Sequence, residues 1–440
     1  MKKFKYLLVI PIVLLGIVYV INIKKSSSYI DDSSKNYVKS NMLSMMLETD
    51  AGTGKYELSN SSSWPSESYI FNSELSKCEN GSTLSWDYVN KQVTFSGNVT
   101  DKCYVYFDKY NPKINNICTN NQTLSSCITA FGNLGTNISN IYIHDSNLEN
   151  GAGDNSYRYA GANPDNYVCF GSDDATCPYE NLYRIIGVID DRIKLVSADG
   201  ATTDMLGTDG GYYTTYKDIG GDSTYYKGTN DLSKIGVYYW GTKLSSKWST
   251  SNTNAINLNT NFLTFLDKND SKWTSMLDDT TWYVGGMTNA NGIYSDAKTA
   301  YNYEVGANKD TSTTVTSKVG MIYLSDYYYG SISEYWTLPG FSNDEKDYRK
   351  SIDDNWLYIG LYEWTISVVS DGVTKSYNIN VNGYVNRSTN TSFGTSGYVV
   401  RPCFFLTTTT KYISGSGTSS DPIRVGWLIN SLIWCIIILI

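Results

Sequence analysis

The chain reads as an α+β protein in which an apolar amino-terminal segment precedes a small β-rich module and a larger, loop-rich region of short antiparallel strands with one or two helices. Three observations predict this. Short runs that alternate apolar and polar residues recur along most of the length, bounded by Gly, Asn, Ser and Asp. Helical spacing is confined to a few segments. The eight cysteines fall largely into close pairs, which suits small loops tied locally rather than long regular elements. Many short strands with few helices and long turns indicate strands and helices grouped separately around a core.

At 440 residues the chain has room for two or three domains. Its 35 Lys+Arg against 43 Asp+Glu give a formal net charge of −8, and no basic stripe interrupts this balance, so nucleic acid is excluded as a partner. There are 39 Tyr and 11 Trp, with only 18% of residues charged. Tyr offers large contact area at low entropic cost and Ser, Gly and Asn adapt their hydrogen bonding, the chemistry of binding loops. Aromatic residues equally suit strands, so composition alone does not separate the two.

The first element is Tyr6–Ile23, uncharged and flanked by Lys2, Lys3 and Lys5 before it and Lys24 and Lys25 after it. At about 1.5 Å per residue it just spans a hydrocarbon layer of about 30 Å. No small-x-small cleavage site follows, so residues 1–25 are expected to be an uncleaved signal anchor with the bulk of the chain outside the cell membrane. Residues 26–47 read as a stalk, with a helix-like stretch over Val38–Leu47. Residues 48–110 form the β-rich module: Leu84 and Trp86, then Val93 and Phe95, alternate with polar residues, and Cys103–Phe107 is a compact apolar strand. Residues 111–140 read as a linker with one short helix whose Leu124, Ile128 and Phe131 share a face.

From 141 to 425 the pattern is one larger domain. Leu182–Val188 and Arg192–Val196 are strands around the Asp190-Asp191 turn. Asn254–Leu266 is the strongest helix, with a second piece over Ser271–Leu277. Further strands are expected at Val319–Leu324, Trp356–Leu361, Trp364–Val369, Tyr377–Val381, Tyr384–Ser388 and Val400–Leu406, with Asn382-Gly383 as a two-residue turn. An apolar tail, 426–440, closes the chain and is too short to span a bilayer comfortably.

Cys78/Cys103, Cys118/Cys127 and Cys169/Cys177 are expected to be disulfides in an oxidising compartment; zinc is the competing reading, but no C-x-x-C spacing occurs and His144 is the sole histidine. Cys403 sits in an apolar run as a buried thiol. Motif chemistry argues against an enzyme. His144-Asp145 has no Gly-x-Ser-x-Gly elbow to serve, and no phosphate loop or dinucleotide fingerprint is present. No cofactor is expected. Calcium is the open alternative, through Asp204, Asp209, Asp218 and Asp222 or the Asn163-Pro164-Asp165 loop, although no complete D-x-[DN]-x-[DN]-G loop occurs.

Several blocks carry a resemblance: Asn155–Gly161, Asn166–Gly171, Asn181–Gly187, Gly320–Asp326, Tyr398–Pro402 and the ending Ser414–Pro422. In that order they resemble a family of secreted or membrane-anchored bacterial proteins, mostly from Gram-positive relatives. The carboxy-terminal domain of that family is similar to the C-type-lectin-like fold shared with formylglycine-generating enzymes. The resemblance covers Ile141–Val425 and implies a lectin-like domain; fold alone does not supply function. Those enzymes use a cysteine pair late in the domain, whereas Cys403 stands alone here, so that activity is not carried over.

The region Glu363–Tyr398 is the expected binding face. With Ile379 and Val381 turned inward, Asn378 and Asn380 and, past the turn, Tyr384 and Asn386 face outward; Asn382, Arg387, Asn390 and Tyr398 complete the ligand-facing set. Proteins of this fold include some that diversify such Asn-rich positions through a reverse-transcriptase cassette, which the resemblance extends to this hairpin. Arg401 and Glu363, among apolar neighbours, are expected to be buried partners. The functional expectation is a surface-anchored binding or adhesion protein for a glycan, peptide or protein ligand. An inert envelope or pilus component and an extracellular hydrolase are the alternatives.

Overall fold

The computed structural model describes residues 43–427, apart from 62, 66–68, 88–89, 91, 99, 242–246, 269, 286–295, 339–350, 369–375 and 389–395. The expected anchor Tyr6–Ile23, the stalk up to residue 42, Asn390 and the tail after Trp427 lie outside the described residues, as does the side chain of Arg387. Among the described residues no helix is long and apolar enough to cross a membrane. The chain divides into two compact units, Met1–Asn111 and Pro112–Ile440.

In the first unit the strands are β1 (Leu43–Glu48), β2 (Tyr56–Leu58), β3 (Tyr69–Cys78), β4 (Thr83–Asp87), β5 (Gln92–Ser96) and β6 (Cys103–Lys109). A sheet runs in the order β2-β1-β6-β3, and β4 and β5 form a hairpin. The stretch expected to extend the stalk as a helix is thus a strand. β1 pairs in parallel with β6, from Leu43 opposite Cys103 to Leu47 opposite Phe107. Flanked by strands on both edges, it buries the consecutive Met45 and Met46, and such a strand has no alternation to distinguish it from a helix. Phe71, Val105 and Phe107 complete the small core with Trp64 and Trp86 packed on it. The Cys78–Cys103 disulfide ties the end of β3 to the start of β6.

In the second unit the strands are β7 (Ile141–Ile143), β8 (Tyr157–Tyr159), β9 (Tyr167–Cys169), β10 (Leu182–Ile189), β11 (Arg192–Ser197), β12 (Tyr212–Thr215), β13 (Gly236–Tyr238), β14 (Thr280–Tyr283) and β15 (Thr314–Ser317). They continue as β16 (Val319–Gly320), β17 (Glu363–Val368), β18 (Ser376–Ile379), β19 (Val385–Ser388), β20 (Tyr398–Val399), β21 (Cys403–Phe405), β22 (Lys411–Ser414) and β23 (Ile423–Gly426). Among the described residues the largest sheet has nine strands, in the order β16-β21-β11-β10-β9-β23-β22, with β8 on β10 and β7 on β8. A second sheet runs β12-β13-β20-β17-β18-β19, and β14 pairs with β15. The architecture is therefore mixed α+β and rich in strands, with short helices.

The β10–β11 hairpin turns at Asp190 and Asp191, both at positive φ (50° and 59°), the conformation a tight right-twisted hairpin requires. Gly187 in β10 is where the backbone of β8 comes closest: a Cβ there would lie 2.2 Å from the Tyr157 carbonyl oxygen. The Asn254–Leu266 helix is present, wound as a π-helix over Thr253–Asn261 before Phe262–Leu266 becomes α-helical.

Three further expectations are corrected. The segment read as a linker carries α1 (Leu124–Gly132), whose Leu124, Cys127 and Ile128 are fully buried against β7, β8, β10, β11 and β22. Its polar flanks resemble a linker because they are the exposed ends of a core helix. The Val319–Leu324 strand stops at Gly320, and α-helix Leu324–Tyr329 follows, its first N–H groups taken by the Glu304 carboxylate and Asp326 accepting from Tyr323 N–H. Trp356–Leu361 is not a strand, although Trp356, Leu357, Tyr358, Ile359 and Leu361 are all buried. A buried loop and a buried strand share the same apolar run.

Candidate functional site

The hairpin β18–β19 was the expected binding face, and its geometry differs from that expectation. Asn380 N–H donates to the Tyr384 carbonyl and Gly383 N–H to the Asn380 carbonyl, at 2.9 and 2.8 Å. Gly383 alone of the turn takes a positive φ, 85°. The connection is thus a three-residue loop, Val381–Gly383, and not a two-residue turn at Asn382-Gly383. Its tip is tucked inward: Tyr327 Oη donates to the Gly383 carbonyl at 2.6 Å, and a Cβ on Gly383 would collide with Ile352.

β18 lies between β17 and β19 with both faces covered, so Asn378 and Asn380 are buried rather than presented outward. Asn378 is fully buried, and neither its Oδ1 nor its Nδ2 finds a hydrogen-bond partner. Alternation along a strand assigns one face to solvent only if that face is uncovered. Asn382, Tyr384, Asn386 and Tyr398 are half-buried. The Tyr398 ring packs on Trp364 and Tyr362, at 4.4 and 5.4 Å between centroids. Arg401 and Glu363 form the expected buried pair, Nε to Oε1 at 2.7 Å, and burial raises the Glu363 pKa despite that contact.

The three cysteine pairs stand as disulfides, Cys78–Cys103, Cys118–Cys127 and Cys169–Cys177, and Cys403 is a buried free thiol whose pKa burial pushes up to about 12. Among the described residues no group of three or more His, Cys, Asp or Glu is disposed to hold a metal ion. Of the aspartates considered for calcium, Asp209 accepts from Asn261, Asp218 from Thr215 and Asp222 from Thr224.

A cleft of about 710 Å³ opens elsewhere on the second unit. The Cys169–Cys177 bridge pins one wall, the loop carrying Asp173 and Asp174. A short helix, Lys272–Ser275, sets Lys272 and the buried Trp273 on another; β22, β23 and Trp427 supply the rest. Lys272 Nζ pairs with Asp173 and lies 4.6 Å from the centre of the Trp273 ring. Arg424 bonds the Ser172 and Ala175 carbonyls at 3.4 and 3.0 Å, stiffening the acidic loop. Trp427 leaves 39% of its surface open. Sequence reasoning missed this cleft because separate parts of the chain, residues 169–175, 270–275 and the β22–β23 hairpin, build it; only the Cys169/Cys177 pair pointed to a braced loop.

A second cavity, about 210 Å³, sits over a buried charge cluster. Arg158 reaches Asp154 at 3.0 Å and Asp326 at 3.3 Å, and Lys194 reaches Asp326 at 2.5 Å. Burial pushes the Asp154 pKa up, but Arg158 and the Ser156 hydrogen bonds outweigh it and bring it down to about 2. Burial raises Glu304 to about 7 even though it accepts from Leu324 N–H, Ser325 N–H and Ser367 Oγ. His144 is fully buried; its Nδ1 accepts from Ala152 N–H at 3.0 Å and its ring meets Tyr329 edge-to-face at 4.6 Å. Burial first, then Arg158, holds its pKa down at about 3, so it is a neutral packing residue. Protein-family models, curated proteins and solved structures all yield no match to this chain.

Proposed function

We propose that the chain is an exported binding protein, held at the cell surface by Tyr6–Ile23, whose second unit takes a glycan in the Trp273/Trp427 cleft. The observation that carries this is the cleft itself. Its volume of about 710 Å³ falls within the roughly 300–1,000 Å³ of small-ligand sites. Its walls combine an open indole with Asp174, Asp270, Ser275 and Ser414, an apolar platform beside hydroxyl-bonding groups, which is the pairing that sugar rings need. Three disulfides support an oxidising location. The half-buried Asn382, Tyr384 and Asn386 remain a candidate second contact surface on this reading.

Glycan-array binding by the detergent-solubilised full-length chain tests it. The wild type is expected to retain glycans. Trp427→Ala is expected to weaken retention about tenfold, the loss of roughly 1.4 kcal/mol from one aromatic contact. Absence of any retained glycan would favour an inert envelope component instead, and binding unchanged by the substitution would place the glycan outside this cleft.

A further inference from the structure

We propose that Lys194 and Asp326 become joined by an intramolecular amide bond between the lysine Nζ and the aspartate Cγ, a covalent strut across the second unit. Lys194 lies on β11, inside the nine-stranded sheet, and Asp326 on the Leu324–Tyr329 helix, 132 residues further along. Their side chains are each only 2% exposed, with Nζ 2.5 Å from Oδ2. Rings close around the amine: Tyr323, Phe405 and Trp282 centre at 4.8, 5.4 and 5.8 Å from Nζ. Lysine is rarely buried this deeply, and a buried ion pair has to overcome the desolvation of both charges. Condensation removes both charges at once. It leaves Arg158 still matched by Asp154 at 3.0 Å.

The step balances without any oxidant or co-reactant. The ammonium passes a proton to the carboxylate it touches, leaving an amine and a carboxylic acid. Nζ then attacks Cγ, and Arg158 Nη1, 3.3 Å from Oδ1, faces the oxygen that gains negative charge. The C–N bond forms, the Cγ–Oδ2 bond breaks, and Oδ2 departs as water carrying two of the three ammonium hydrogens. The proton moves directly between the two groups that touch, Lys194 Nζ and Asp326 Oδ2. The cavity of about 210 Å³ over the pair lets the water leave.

The test is peptide mapping of the folded full-length chain after reduction, alkylation and trypsin. The expected result is a branched peptide joining the Lys194 and Asp326 segments, lighter than their sum by one water, with no cleavage after Lys194. Lys194→Arg keeps the charge but cannot form the bond, and should yield only linear peptides. Stoichiometric recovery of a linear peptide ending in Lys194 from the wild type would overturn the proposal. This readout needs neither a ligand nor the cleft, so it stands or falls apart from the binding reading.

Discussion

Three arginines show how residues within the ordered sequence blocks serve the core. Arg158, Arg184 and Arg401 each lie in one of the ordered blocks, and each is almost wholly buried. Arg184 lies 4.3 and 4.6 Å from the centres of the Tyr167 and Trp356 rings, and burial lowers its pKa to about 10. Arg401 is committed to Glu363 and the Leu357 carbonyl. His144 makes the same point and can be tested directly, because it is the chain's single histidine and its NMR signals are unambiguous. Its ring should remain neutral from pH 8 to pH 5, with a midpoint near 3. The folded pKa lies below the unfolded 6.5, so the unfolded chain takes up the proton first. Stability from this group is complete above about pH 6.5 and is lost as pH falls towards 3, a few kcal/mol in all. A midpoint near 6.5 would show that the imidazole is hydrated and not packed against Tyr329.

At the scale of elements, position in the sheet decided more than local pattern. β1 and β18 each sit between two neighbouring strands, and each hides residues that an isolated strand would show to solvent. The α1 face of Leu124, Ile128 and Phe131 was legible from its spacing, whereas its membership in the larger core was not. Ile128→Ala separates the two readings. Within the core, the lost methyl groups and the cavity they leave should cost about 2–4 kcal/mol in urea unfolding of the second unit. A change below about 0.5 kcal/mol would return α1 to the status of a linker helix.

For the molecule as a whole, the proposed surface location rests on the cysteine chemistry and the apolar amino-terminal segment. Three disulfides accompany an acidic chain with no basic footprint, and Tyr6–Ile23 precedes all of it. Protease added to intact cells is therefore expected to release peptides from both units. Complete protection, with intracellular markers also protected, would reverse the topology and remove the basis for surface binding.

The sequence by itself determined the class of architecture, the three cysteine pairings, the Asp190-Asp191 hairpin, the long helix and the Arg401–Glu363 pair. Each of these depends on neighbours in the chain or on a residue type that tolerates few environments: a second cysteine close by, two acidic residues able to adopt positive φ, a charge among apolar residues. Tertiary structure alone decided which strand faces are covered, and so which asparagines reach solvent. It alone assembled the cleft from residues 169–175, 270–275, 413–414 and 424–427, and set Lys194 against Asp326. Most of these contacts join segments far apart in the chain, and periodicity along the chain carries no information about which distant surface will close over a given face.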